Sequence, residues 1–137
     1  MKKDVKTIRQ RVIIPAAPKD VYEAYVDPKK QTEFTGSKAT GKPVVGGKFT
    51  AWDGYIFGKY LELEDGKRVV QEWSATDFPE GAAPSRLELC FNEAPEGTEL
   101  VMVHSDVPAE VADDDAEGWK EWYWNPLKEY FSSKSKT

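Results

Sequence analysis

Three acid–glycine pairs, Asp53-Gly54, Asp65-Gly66 and Glu96-Gly97, recur through the middle of the chain. Each separates two segments in which apolar and polar residues alternate. An acid followed by glycine tolerates the positive φ that a tight hairpin turn needs, and alternation at period two marks a strand with one buried face. Strands are therefore predicted over Gly47–Trp52, Tyr55–Glu64, Lys67–Thr76, Ser85–Glu93 and Thr98–Asp106. Strands joined by such short turns run antiparallel. Phe78 to Pro84 reads as a longer loop.

The flanks carry different patterns. Val5 to Ile14 reads as a further strand, with Ile8, Val12 and Ile14 on one side and Pro15 and Pro18 ending it. Lys19 to Val26 reads as a short helix that turns Val21, Tyr22 and Tyr25 inward. Asp27-Pro28 starts a second short helix, because aspartate caps an N-terminus well and proline suits the first helical position. It runs to about Phe34, and Gly36 breaks it. Near the C-terminus, Trp119, Trp122, Tyr123, Pro126, Leu127 and Tyr130 recur at spacings of three and four, the mark of one face of a long helix. Trp119, Trp122, Tyr123 and Leu127 are expected to face the sheet. Asp113, Asp114 and Asp115 are expected in the helix's first turn, where its dipole favours anions. Pro126 is expected to bend the helix and free the carbonyl of Trp122. Trp124 and Phe131 sit on the flank, either tucked under a loop or forming a partner surface. The tail from Ser132 to Thr137 is Ser/Lys-rich and expected to fray. A sheet with one apolar face needs a cover, and the long helix is large enough to supply it. The expected fold is α+β: a curved antiparallel sheet, two short helices, and one C-terminal helix gripped by the sheet, all in one domain spanning 1–137.

Composition narrows the function. The chain has 137 residues, 12% of them aromatic, including five tryptophans, so a pocket or a large core has bulky walls. Net charge of −5 and a pI near 5.0 argue against nucleic acid as the main partner. One histidine and one cysteine exclude an internal disulfide and the usual zinc ligand sets. No apolar stretch approaches the roughly 18 residues of a membrane span, and Met1-Lys2-Lys3-Asp4 precedes no apolar segment of a secretory leader. A cytoplasmic chain without metal or cofactor is expected.

The motif-like strings are weak. Asp113-Asp114-Asp115-Ala116-Glu117-Gly118 matches the first half of a calcium loop, but the twelfth position holds Trp124 where calcium needs a bidentate Glu. Gly41 to Lys48 ends in Lys, yet Phe49 follows where a phosphate loop needs a hydroxyl. Cys90 and His104 are the residues of a nucleophile–base pair, but Cys90 has the opposite parity to Leu87, Leu89 and Phe91 and points away from the core. His104 shares parity with Leu100 and Met102, and Gln71 with Val69 and Trp73. Both are expected on the inner face. Two polar groups among aromatics suit a ligand pocket. His104 reads first as a structural histidine bonded to a backbone carbonyl or to Asp106, next as a ligand contact, and last as an acid/base group.

A series of strings in fixed order resembles a known family. They are Ile14-Pro15-Ala16-Ala17-Pro18-Lys19-Asp20-Val21-Tyr22, Phe34-Thr35-Gly36, Gly46-Gly47-Lys48-Phe49 and Asp53-Gly54-Tyr55-Ile56-Phe57-Gly58. Arg68 to Trp73, Gly97 to Leu100, His104 to Pro108 and Gly118 to Leu127 complete the series. The chain resembles the helix-grip (START-like, SRPBCC) superfamily. Within that superfamily it is similar to the C-terminal domain of the activator of the 90-kDa heat-shock protein ATPase. The resemblance implies a small hydrophobic ligand held between sheet and helix. Gln71, Trp73, Phe91, Met102, His104, Trp119 and Tyr123 would be its contacts. It implies two alternatives, contact with a chaperone and a cyclase- or hydrolase-type enzyme; on this chain's own pattern the flanking Trp124 and Phe131 would serve the first and His104 the second. The basic N-terminal stretch reads most simply as the polar face of an edge strand with a frayed end; the alternative is that it meets the acidic run from Glu110 to Glu117 of another copy in a homodimer.

Overall fold

The structure is a computed structural model that describes residues 5–78, 81 and 83–134. Parts of the loop and of the tail read above lie outside the described residues.

Seven strands form one antiparallel sheet. In chain order they are β1 (Val5–Ile14), β2 (Thr40–Gly41), β3 (Lys48–Ala51), β4 (Ile56–Glu64), β5 (Arg68–Ala75), β6 (Ser85–Ala94) and β7 (Gly97–Pro108). Their order in space is β1-β7-β6-β5-β4-β3-β2. The hairpins β3–β4, β4–β5 and β6–β7 form at the three acid–glycine pairs, as their turn chemistry requires. The two-residue β2 went unseen in the sequence, because two residues carry no periodicity.

Between β1 and β2 lie α1 (Pro18–Val26) and α2 (Pro28–Thr35). The Asp27 carboxylate caps α2 by accepting from the Lys29 amide at 2.9 Å, and Gly36 ends it in the left-handed conformation. Val21, Tyr22 and Tyr25 are buried, as their spacing predicts. The inner face of the sheet is apolar. Ile14, Leu87, Leu89, Leu100 and Met102 are fully buried beneath α1 and the C-terminal helix. The fold is therefore the helix-grip architecture. Among the described residues no helix is long and apolar enough to cross a membrane.

The C-terminal helix departs from the sequence reading in two ways. It begins at Ala109, directly after Pro108, so Asp113 to Asp115 fall in its second turn rather than its first. More consequentially, α3 (Ala109–Gly118) passes into a six-residue π-helical segment, Trp119–Trp124, before α4 (Asn125–Lys134) resumes. The Asn125 amide bonds the Lys120 carbonyl, five residues back instead of four. Pro126 supplies the reason. In an α-helix its ring would press on the Trp122 carbonyl and it has no N–H to give. Widening the preceding turn accommodates both. The expected disturbance at Pro126 is thus a change of helix type.

The π turn decides which aromatics face inward. At a five-residue spacing Trp119 and Trp124 lie one above the other, stacked with centroids 5.3 Å apart and planes 18° off parallel. Both are buried, with Tyr123. Trp122, expected on the sheet, is instead turned outward and is 53% exposed. Trp124 packs neither under a loop nor at the surface. Its indole N–H donates to Gln10 Oε1 of β1 at 2.6 Å, and Gln10 Nε2 donates to the Ala116 carbonyl at 2.7 Å. One glutamine thus fastens the edge strand to the helix where the winding changes.

Gly97 has φ of +139°, and a Cβ there would collide with the backbone of Ile14 and Ala16. Gly97→Ala is expected to lower stability by roughly 2–4 kcal/mol through backbone strain plus the steric clash. Urea denaturation measures this. A loss below about 1 kcal/mol would show that the β1 end yields freely.

Candidate functional site

The space between sheet and C-terminal helix is filled rather than hollow, because Trp119, Tyr123, Trp124 and Leu127 occupy it. The notable concavity opens beside it. A partly open cleft of about 600 Å³ runs between the β3–β4 turn, the end of β5 and the junction of α3 with the π segment. Trp73 and Trp119 belong to its floor, Tyr123 and Ile56 to its inner wall, and Trp52, Tyr55 and Trp122 to its rim. Asp77, Asp114 and Asp115 also line it.

The rim is held in an unusual conformation. Trp52, Asp53 and Gly54 have φ of 54°, 57° and 92° in succession. The hairpin turn explains the last two, but a tryptophan in left-handed space is a true outlier. The conformation brings the Trp52 indole N–H to the Tyr123 hydroxyl at 2.9 Å. Trp52 also meets Tyr123 and Trp122 edge-on, at centroid distances of 5.8 and 6.0 Å. Strain of this kind persists where surrounding contacts over-determine it, and it concentrates at ligand-handling sites.

Behind the floor runs a closed hydrogen-bond chain. The Trp119 indole N–H donates to His104 Nδ1 at 3.1 Å. An indole can only donate, so Nδ1 carries no proton and Nε2 does. Nε2 is 2.7 Å from Ser85 Oγ and donates to it, and Ser85 Oγ donates to the Trp73 carbonyl at 2.6 Å. Both ring nitrogens of His104 and the Ser85 hydroxyl have partners. This corrects the expected bond from His104 to Asp106 or to a backbone carbonyl. No part of His104 is exposed, and burial holds its pKa down at about 3, so the ring is neutral.

Other electrostatics gather at the mouth of the cleft. Asp115 is pushed up to about 7, first by burial and then by the charges of Asp77 and Asp114. Tyr55 is raised to about 12 by burial and by its hydrogen bond to Asp77. Among the described residues, two buried side-chain polar atoms lack a hydrogen-bond partner: Trp73 Nε1 and Asp115 Oδ2. Both belong to residues that line the cleft.

Of the seven residues read from the sequence as ligand contacts, Trp73, Trp119 and Tyr123 line the cleft. Gln71, Phe91, Met102 and His104 are buried behind it. Gln71 accepts from the Tyr25 hydroxyl at 2.7 Å, and Phe91 meets Tyr22 edge-on. Cys90 pairs in register with Val101, whereas His104 pairs with Leu87, which places the thiol on the opposite face of the sheet. Sequence reasoning did not connect Trp52, Tyr55 and Asp77 with the cleft, and it expected Trp122 to face the sheet rather than the rim. It also read Asp114 and Asp115 only as a helix start. The signal available was the proximity of aromatics to the Asp53-Gly54 turn, which a turn motif alone does not connect to the distant helix.

Comparison with known proteins agrees with this architecture. An activator of 90 kDa heat shock protein ATPase homolog from Dictyostelium discoideum is 29% identical over 98% of this chain and 35% of its own length. The chain spans about a third of the length of the curated relatives it matches. Among solved structures, an HSP90 activator from Plasmodium falciparum superposes with a TM-score of 0.81 at 23% identity, covering 93% of this chain and 96% of that one. The Aha1 dimer from Colwellia psychrerythraea superposes with a TM-score of 0.75 at 18% identity, covering 88% and 92%. The family model described as "Activator of Hsp90 ATPase homolog 1-like protein" matches residues 15–132, and the chain belongs to that family.

Proposed function

We propose that this chain is a binding module whose open cleft takes up one small organic molecule with a substantial apolar surface. The observation that carries this reading is the cleft itself. About 600 Å³ lies within the size range of small-molecule pockets, and its walls are aromatic. This reading puts the site at the edge of the sheet–helix interior, where the sequence pointed to the interior itself. Trp73, Trp119 and Tyr123 contact the ligand in this reading. His104 holds Trp119 through its hydrogen bond, and Gln71, Phe91 and Met102 belong to the core behind. The geometry offers nothing to the acid/base reading of His104, whose two ring nitrogens are both bonded and which lies outside the cleft.

Native mass spectrometry of freshly purified protein, beside its denatured mass, tests the proposal. An added mass that vanishes on denaturation supports it. Trp122→Ala is expected to weaken retention of that mass about tenfold. Because Trp122 is half exposed, stability should change by less than about 1 kcal/mol. Retention unaffected by Trp122→Ala and by Trp52→Ala would place the ligand elsewhere.

A second reading is chaperone contact, and the names of the relatives favour it. In this reading the exposed Trp122 is the anchor, replacing the buried Trp124 of the sequence expectation. Adding the domain to an Hsp90-type ATPase should then raise its turnover, and Trp122→Ala should remove the increase. A homodimer, as in the Colwellia protein's description, is tested by sedimentation of this chain.

A further inference from the structure

We propose that the ligand of the cleft is an organic cation, an ammonium or guanidinium group on an apolar body, seated between the aromatic rim and the carboxylates of Asp77, Asp114 and Asp115. The inference rests on the binding reading above and adds the ligand's charge.

Three observations carry it. First, the rim presents π faces in more than one orientation. Trp52 lies at 72° to Trp122 and at 85° to Tyr123, so the rings form a corner rather than a flat wall. The faces of such rings are electron-rich and attract a cation placed within about 6 Å of their centroids. Second, the charge is one-sided. Three aspartates line the cleft, no lysine, arginine or histidine does, and none of the three takes part in an ion pair among the described residues. An anion would meet the like charges of the exposed Asp77 and Asp114 beside the half-buried Asp115. A neutral molecule would leave them unbalanced. Third, the wall contains polar atoms that the protein does not satisfy. Asp115 Oδ2 is an acceptor without a donor, and Trp73 Nε1, on a side chain 4% exposed, is a donor without an acceptor. Buried orphans of this kind are rare in folded chains and call for a specific explanation. A cationic N–H suits the first; the second is a donor, marks the wall as unsatisfied, and does not bear on the ligand's charge.

Burial and the neighbouring carboxylates also hold the Asp115 proton unusually tightly, and a bound cation relieves that tension. The groups that bear on Asp115 are Asp77 from the turn after β5 and Asp114 from its own helix, with the Tyr55 phenol beside Asp77. The hydrogen bond from Trp52 to the Tyr123 hydroxyl fixes one ring of this corner.

Three soluble probes that share one body separate charge from shape: 2-phenylethylammonium, 2-phenylethanol and phenylacetate. Binding is read from the indole N–H resonances of the five tryptophans at pH 7.5 and low salt. The ammonium is expected to bind at least about tenfold more tightly than the alcohol, with phenylacetate weakest. Asp115→Asn should bring the ammonium-to-alcohol ratio to within about threefold, chiefly by weakening the ammonium. Asp77→Asn, at an exposed position, should move the ratio the same way without risk to folding. Added salt should shrink the preference in the wild type alone. Alcohol binding equal to or tighter than ammonium binding overturns the charge assignment and leaves the cleft reading standing. Failure of all three probes to shift any indole at about 10 mM overturns both.

Discussion

Replacing Trp119 with alanine is expected to cost about 3–5 kcal/mol of stability. The side chain is 2% exposed and sits where three sets of contacts meet. It stacks on Trp124 at 5.3 Å, lies 4.5 Å from the ring of Tyr123 and 5.6 Å from that of Trp73, and donates to His104. Truncation opens a cavity that the rigid aromatic neighbours fill poorly, and it strands His104 Nδ1 without a donor. Trp119→Phe separates the two losses. It keeps a ring in the stack and removes the N–H, so its cost is expected near 1–3 kcal/mol. Urea denaturation of the three proteins gives the ordering directly. Equal losses for the two variants would mean that the hydrogen bond, not the packing, holds the helix to the sheet. Losses below about 1 kcal/mol in both would contradict the described core.

The second large effect is in the dependence of stability on pH, where two groups oppose each other. His104 has its pKa lowered from 6.5 to about 3 by burial. The folded state therefore refuses a proton that the unfolded chain accepts. Its contribution is complete above pH 6.5 and is lost as pH falls from 6.5 towards 3. Asp115 has its pKa raised from 3.8 to about 7. The folded state keeps a proton that the unfolded chain releases, so its contribution is complete below pH 3.8 and is lost as pH rises from 3.8 through 7. A full slope is about 1.4 kcal/mol per pH unit, and the half-buried Asp115 is discounted to roughly half of that for solvent screening.

Between pH 4 and 6.5 the two slopes partly cancel, and the wild type should lose stability only gently on acidification. Asp115→Asn removes one side of the balance, so its stability should fall steeply from pH 6.5 downwards. His104→Gln, whose amide can accept from Trp119 and donate to Ser85, removes the other. That variant should lose stability as pH rises from 4 to 7. The bond from Arg11 that lowers the Glu99 pKa adds a shallow acid loss common to all three proteins. Unfolding midpoints at closely spaced pH values decide the matter. Parallel profiles for wild type and Asp115→Asn would show that Asp115 does not titrate in this window.

Much of the fold was legible because its determinants are local. The acid–glycine turns and the period-two alternation of Tyr55–Glu64 or Ser85–Glu93 set strand limits to within a residue or two. The same parity placed Gln71 and His104 inward and Cys90 outward. What failed depended on winding that a fixed period cannot express. Wheel positions assigned at about 100° per residue put Trp122 on the sheet and Trp124 on the flank, and the π turn before Pro126 exchanged them. The cleft was hidden for a related reason. It joins a hairpin turn near residue 53 to a helix more than sixty residues later, and no local pattern links Trp52 to Asp115. The aspartates looked like dipole partners because the start of the helix was placed too late.

The π segment also fixes how this chain can be lined up with others. It amounts to one supernumerary residue in an otherwise regular helix, so α3 and α4 are out of phase by about 100°. A counterpart whose helix is α throughout would share this chain's positions up to Gly118 and be offset by one from Asn125 onward. Aligned without a gap, Leu127 would correspond to a residue pointing somewhere else. Any transfer of residue roles along this helix must therefore be indexed separately on its two sides.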